Sequence, residues 1–305
     1  MRIMTCCSRV FGLGRGVSLA LIAVMLLSGC IVHKVRLPKE QILLKVEKMS
    51  KASLLEKLKV RSAEVRTLIV DKMALKASQP ISNETVNEIH SPLLSGVIVV
   101  DRTGRIHLEI DLALTTQAEM VSDGKRYKFS LPYRGSGQFG EADVSAPVLS
   151  DKFPYNMRPG QIIDALFVDG EKYIDDKEIK TVVRESTEEH PDGLHPLFRI
   201  LFVRADIAIE ELTFDRYVGQ VTRKIHYRED GSIEADVRYS NYDKVDSIQF
   251  PKLIMINRPI ENYTLEMKFE KLSLNKPVQD SQFTLERPEG SDDLDLTTGK
   301  VTKTK

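Results

Sequence analysis

The sequence predicts an α+β fold, mainly antiparallel β, in which a curved sheet forms an unclosed half-barrel under a helical lid. Three observations carry this expectation. Apolar and polar residues alternate over several long segments, the mark of strands with one buried face. A turn such as Glu229-Asp230-Gly231 joins two such segments as a hairpin. Only two segments have convincing helical spacing, too few to cover a flat sheet, so the apolar face must be buried by rolling the sheet inward and closing its mouth with the helices.

Taken in order, the chain opens on Arg2, Arg9 and Arg15 without an acidic residue, followed by an apolar run from Val17 that ends Leu26-Leu27-Ser28-Gly29-Cys30. A basic start, a short apolar stretch and a small-residue exit are those of an export signal, and the run is too short to span a bilayer comfortably. Its ending looks like the lipobox of bacterial lipoproteins. That resemblance implies a signal peptide over 1–29 and covalent diacylglycerol and N-acyl lipid at Cys30, with 30–38 as the lipidated tether. Several acyl chains would hold the domain on membrane lipid almost permanently. Ile31 is not the aspartate that retains many such proteins in the inner membrane. By that rule the outer membrane, facing the periplasm, is the expected address.

The half-barrel domain is expected over 39–287. After Pro38, Ile42, Val46 and Met49, then Leu54, Leu55 and Leu58, recur at helical spacing, with a break near Ser53. The pattern then changes to period two. Ile106, Leu108, Ile110, Leu112 and Leu114 share one face of a strand, and Tyr127, Phe129 and Leu131 repeat it, as do Tyr263, Leu265, Met267 and Phe269. Ile233, Ala235, Val237 and Tyr239 continue the Glu229-Asp230-Gly231 hairpin, and Gly96–Val100, Leu201–Ile209 and Leu253–Ile256 are further strand candidates. A second short helix is expected over Gln161–Val168, after Arg158-Pro159-Gly160. From Pro288 onward the composition turns polar, and 288–305 reads as a disordered tail dispensable for the core.

Composition excludes several functions. Of the three cysteines, Cys6 and Cys7 lie in the leader and Cys30 would carry lipid, leaving no thiol for a disulfide, a metal or nucleophilic catalysis. The 44 basic and 44 acidic residues balance, and no basic block invites nucleic acid. Gly135-Ser136-Gly137-Gln138-Phe139-Gly140 spells a dinucleotide-binding fingerprint, but no amphipathic helix opens from it, so a glycine-rich hairpin is the simpler reading. His190-Pro191-Asp192-Gly193-Leu194-His195 could offer two imidazoles and a carboxylate to a metal, yet Pro and Asp-Gly read first as a solvated turn. Asp175, Asp176, Glu188 and Glu189 fall in charged stretches and read as a solvated face. No catalytic residue, metal or cofactor is expected; a polar cluster inside the concavity would reopen the enzyme reading.

Gly96-Val97-Ile98-Val99-Val100-Asp101-Arg102, the alternation from Ile106, and the turn Ser122-Asp123-Gly124-Lys125 before Tyr127 and Phe129 resemble the strand series of the LolA/LolB-like lipoprotein-localisation carrier and receptor. Tyr239-Ser240-Asn241-Tyr242 and Ile248-Gln249-Phe250-Pro251 resemble closing strands of related lipoproteins. Arg102-Thr103 stands where that family often has Arg-Pro, and the sequence between Gly140 and Leu201 is longer. The resemblance implies an apolar concavity, lined by the alternating sets at 106–114, 127–131 and 263–269, that binds an acyl chain. The expected partners are then membrane lipid, acylated lipoproteins or a periplasmic carrier. The same stripes can equally be the core of a filled barrel, which would make the protein a non-catalytic envelope scaffold. Alternation reports burial, not emptiness.

Overall fold

In the computed structural model, residues 46 and 48–304 are described, except 83–84, 91–93, 114, 133–134, 169–170 and 192. The leader, Cys30, the tether and the first part of the expected N-terminal helix lie outside these residues.

The strand that organises the sheet is one the periodicity did not flag. β1 (Thr67–Ser82) lies between β3 (Leu94–Asp101) and β14 (Tyr263–Leu274) and pairs antiparallel with both. It seams two meanders. On one side run β4 (Arg105–Leu112), β5 (Thr115–Asp123), β6 (Arg126–Leu131) and β7 (Gln138–Asp143). On the other, counting back from β14, run β13 (Ile248–Arg258), β12 (Ile233–Val245), β11 (Gln220–Tyr227), β10 (Ile207–Asp215), β9 (Gly193–Arg204) and β8 (Ile179–His190). β2 (Thr85–His90) pairs with the far end of β1. Through these strands the sheet is antiparallel, curved and unclosed.

β1 was hard to read because its register shifts around Asp71 and Lys72, so that Leu68 and Val70 before the bulge and Met73 and Leu75 after it all face the core out of strict alternation. Leu201–Ile209, expected as one strand, is instead the end of β9 and the start of β10, split by a turn at Ala205 and Asp206, both at positive φ. The edge strand β8 carries Arg184, Glu185, Glu188 and Glu189 exposed, a charged border of the kind that discourages pairing with other chains. That agrees with the solvated face read from its carboxylates.

Two helices fill the concave side. α1 (Lys51–Glu64) starts at Ser50, whose hydroxyl accepts the Ser53 N–H at 3.1 Å, and buries Leu54 and Leu58. α2 (Pro159–Leu166) begins with proline in its first turn and buries Ile162, Ala165 and Leu166; the Gln161 side chain accepts the Arg158 N–H at 3.1 Å. A short α3 (Glu171–Ile174) follows. Among the described residues, no helix is long and apolar enough to cross a membrane.

The expected disordered tail is a correction. β15 (Asp292–Leu294) pairs parallel with β7 and antiparallel with β16 (Val301–Thr302), and Leu294 and Leu296 are 4% and 2% exposed in the core. Two alternating leucines suffice to dock an otherwise polar segment. The glycine-rich run forms the β6–β7 hairpin, and its last glycine has a packing reason. A Cβ on Gly140 would lie 2.3 Å from the Leu294 carbonyl oxygen, so only glycine admits the tail at this distance.

Candidate functional site

The expected lining residues come together. Ile106, Leu108 and Ile110 on β4, Tyr127, Phe129 and Leu131 on β6, and Tyr263, Leu265, Met267 and Phe269 on β14 are each 4% exposed or less and belong to one apolar cluster. Leu112 is a correction. It ends β4 beyond a register shift at Ile110/Asp111 and is 37% exposed, so parity alone misplaced it. Leu114 lies outside the described residues.

In this conformation the wall is covered. The same cluster contains Leu54 and Leu58 of α1, Ile162 and Leu166 of α2, and Leu294 and Leu296 of the tail. The space left beneath the helices is a cavity of about 50 Å³ bordered by Leu58, Val65, Phe167, Val221 and Phe250. Ligand pockets run to several hundred Å³, so nothing the size of a lipid chain enters while both helices are seated.

What seats α2 is electrostatic, and periodicity did not disclose it. Lys224, fully buried on β11, donates to the backbone carbonyl of Asp164 and, at 3.1 Å, to that of Phe167. Its ammonium lies 3.0 Å from the Asp164 carboxylate. His226, two residues along on the same face, bonds the same carboxylate oxygen at 2.7 Å, and Lys172 of α3 stands 3.7 Å from the other. Burial alone would push the Asp164 carboxyl up, but Lys224, His226 and Lys172 outweigh it and hold it far below the usual carboxylate range. Glu210, opposite His226 across β10 and β11, is fully buried with no hydrogen bond to either carboxylate oxygen; His226 is 3.3 Å away. Burial pushes its carboxyl up despite Lys224 and His226.

This is a polar cluster inside the concavity, of the kind that would reopen catalysis. Its members, however, are spent on one another: the Asp164 oxygens face three cations or donors, and Glu210 is sealed from solvent. The arrangement pins the C-terminal end of α2 to the sheet. Asp164 and His226 also border an open cleft of about 590 Å³ that runs along α2 and is lined as well by Arg228, Arg258 and the exposed Leu149 and Ile260.

The sign of the Glu210 effect can be tested. Its folded-state pKa is raised, so the folded protein holds the proton more tightly than the unfolded chain, and stability falls as pH rises through that window. Glu210→Gln removes this dependence. It is expected to match the parent at pH 4 and to melt higher at pH 8, by about 2–4 °C if the relief is about 1 kcal/mol. Equal melting temperatures at both pH values would show that Glu210 is not strained by burial.

No family model matches this chain, and no curated protein matches it in sequence. Solved structures match it in architecture. A LolA superfamily protein from Nitrosomonas europaea aligns over 76% of this chain and 97% of its own, at 12% identity and TM-score 0.48. A DUF1329 family protein from Desulfovibrio piger aligns over 77% and 98%, at 10% identity and TM-score 0.50. A putative outer membrane lipoprotein-sorting protein domain from Vibrio parahaemolyticus aligns over 75% and 95%, at 10% identity and TM-score 0.47. At such identities the likeness is one of fold alone: the Desulfovibrio piger protein, at TM-score 0.50, shares the architecture of this chain.

Proposed function

We propose that this chain is a lipid-anchored protein of the outer membrane, facing the periplasm, that takes an acyl chain of a lipid or an acylated lipoprotein into its half-barrel without chemistry. The observation that carries this reading is the cover on the apolar wall. A continuous inner face running from β6 through β5, β4, β3 and β1 to β14 is closed by two short helices, one of them held by a single polar latch. Withdrawal of α1 and α2 would expose a wall able to hold an acyl chain at about 25 cal/mol per Å² of apolar area buried. The lipobox-like leader supplies the anchor at Cys30 and the address.

A lipid competes with the seated helices, so apparent affinity scales with the fraction of molecules in which they are withdrawn. Asp164→Asn weakens the seating without touching the wall. Each ~1.4 kcal/mol removed from the closed state raises the competent fraction tenfold. Titration of a dansyl-labelled fatty acid into the full chain in detergent-free nanodiscs, with empty nanodiscs as reference, is expected to give saturable binding that tightens about tenfold in the variant. Saturable binding that is unchanged in Asp164→Asn would remove the latch from the mechanism. No binding by either protein would favour the second reading, a filled scaffold that docks another envelope protein, which the packed interior supports.

A further inference from the structure

The sequence His190-Pro191-Asp192-Gly193-Leu194-His195 read as a solvated turn, but His195 is 5% exposed and has a partner the local pattern did not contain. Its Nδ1 lies 2.5 Å from Oδ2 of Asp215, itself 2% exposed at the end of β10. The other carboxylate oxygen of Asp215 accepts the N–H groups of Tyr217 at 2.8 Å and Val218 at 3.1 Å, which fixes the carboxylate in place. The His190 ring stacks on that of His195 with centroids 4.1 Å apart, and Tyr217 packs edge-on against it at 5.0 Å. One ligand atom from each of His190, His195 and Asp215 lies within 4.8 Å of the others. All three border a cleft of about 430 Å³.

We propose that His190, His195 and Asp215 form a binding site for a divalent transition-metal ion, Zn²⁺ being the ion whose ligand chemistry they match. Two imidazoles and one carboxylate are a ligand set Zn²⁺ takes readily, and three protein ligands leave a fourth position that here opens to the cleft. Ligand atoms around a tetrahedral Zn²⁺ stand about 3.3 Å apart, from bond lengths of about 2.0–2.1 Å. Rotation of the half-buried His190 closes its distance, and small side-chain rotations part His195 Nδ1 and Asp215 Oδ2 from 2.5 Å to the spacing an ion needs, while the Tyr217 and Val218 N–H groups hold the other Asp215 oxygen. The ion takes the Nδ1 position facing Asp215, and the proton that a neutral His195 holds there moves to Nε2. This site is separate from the latch and owes nothing to the reading of the concavity.

The test is calorimetric titration of Zn²⁺ into the chelator-treated full chain, with Co²⁺ spectra as a second readout. The expected result is one high-affinity ion per chain and the intense visible bands of low-coordinate Co²⁺. His190→Ala, which removes a half-buried side chain and should fold, is expected to lose the high-affinity step; Asp215→Asn, if folded, should weaken it roughly 10- to 100-fold. His107→Ala, at the His107–Glu119 pair on β4 and β5, should bind as the parent does. Absence of a one-equivalent step in the parent, or a His190→Ala variant that binds as tightly, would overturn the proposal.

Discussion

Lys224→Met is expected to cost about 3–5 kcal/mol of stability, the usual penalty for removing one member of a buried charge network and stranding the others. Methionine replaces most of the side-chain volume, so the loss is not one of packing. Without the ammonium, Asp164 and the buried Glu210 both lose the cation that favours their charged forms, and the Phe167 carbonyl loses its donor. The measurement is urea denaturation, with a lower midpoint at unchanged slope. A second variant separates the causes. Adding Glu210→Leu to Lys224→Met removes a buried carboxylate together with its cation, leaves Asp164 to His226 and Lys172, and should recover most of the loss. A single-variant cost below about 1 kcal/mol would mean that water reaches the network and that the latch contributes no more than a surface pair.

The inner wall was legible because it obeys one rule. On β4, β6 and β14, side chains of the same parity enter the same core, and Ile106, Tyr127 and Leu265 are buried as alternation requires. The rule failed where geometry departs from it. β1 hid behind the bulge at Asp71 and Lys72, and Leu112 kept its parity but ran past the end of the covered surface. The charged groups were beyond reach for another reason. Lys224 and His226 are about sixty residues from Asp164, and His195 is twenty from Asp215. Neither pairing leaves a local spacing; one arises when α2 seats on β11 and the other when β9 and β10 are set side by side. A lysine and a glutamate within strands, at Lys224 and Glu210, were the sole available hints, and inward parity beside Leu212 would have made them conspicuous.

The other large effect concerns the tail, where composition pointed the wrong way. A chain ending at Arg287 is expected to lose about 4–6 kcal/mol, the scale of deleting two buried leucines. Leu294 and Leu296 leave the core, and a second loss follows at Arg158. This buried guanidinium, held over the Tyr127 ring at 5.6 Å, donates to the backbone carbonyls of Tyr155, Met157 and Leu296, the last at 2.6 Å. Burial lowers its pKa, and Glu261 and the nearby tyrosines do not make up the difference. Its charge is therefore stabilised mainly by carbonyl dipoles, one of which belongs to the tail. A chain ending at Thr297 keeps both leucines and that carbonyl, and should retain most of the parent's stability. The pair of truncations thus assigns the effect to the segment that docks and not to the length removed. If the chain ending at Arg287 kept the parent's urea midpoint, the tail would be a surface ornament. If both truncations lost it equally, the Val301–Thr302 pairing with β15, rather than the leucines, would be what holds the segment against β7.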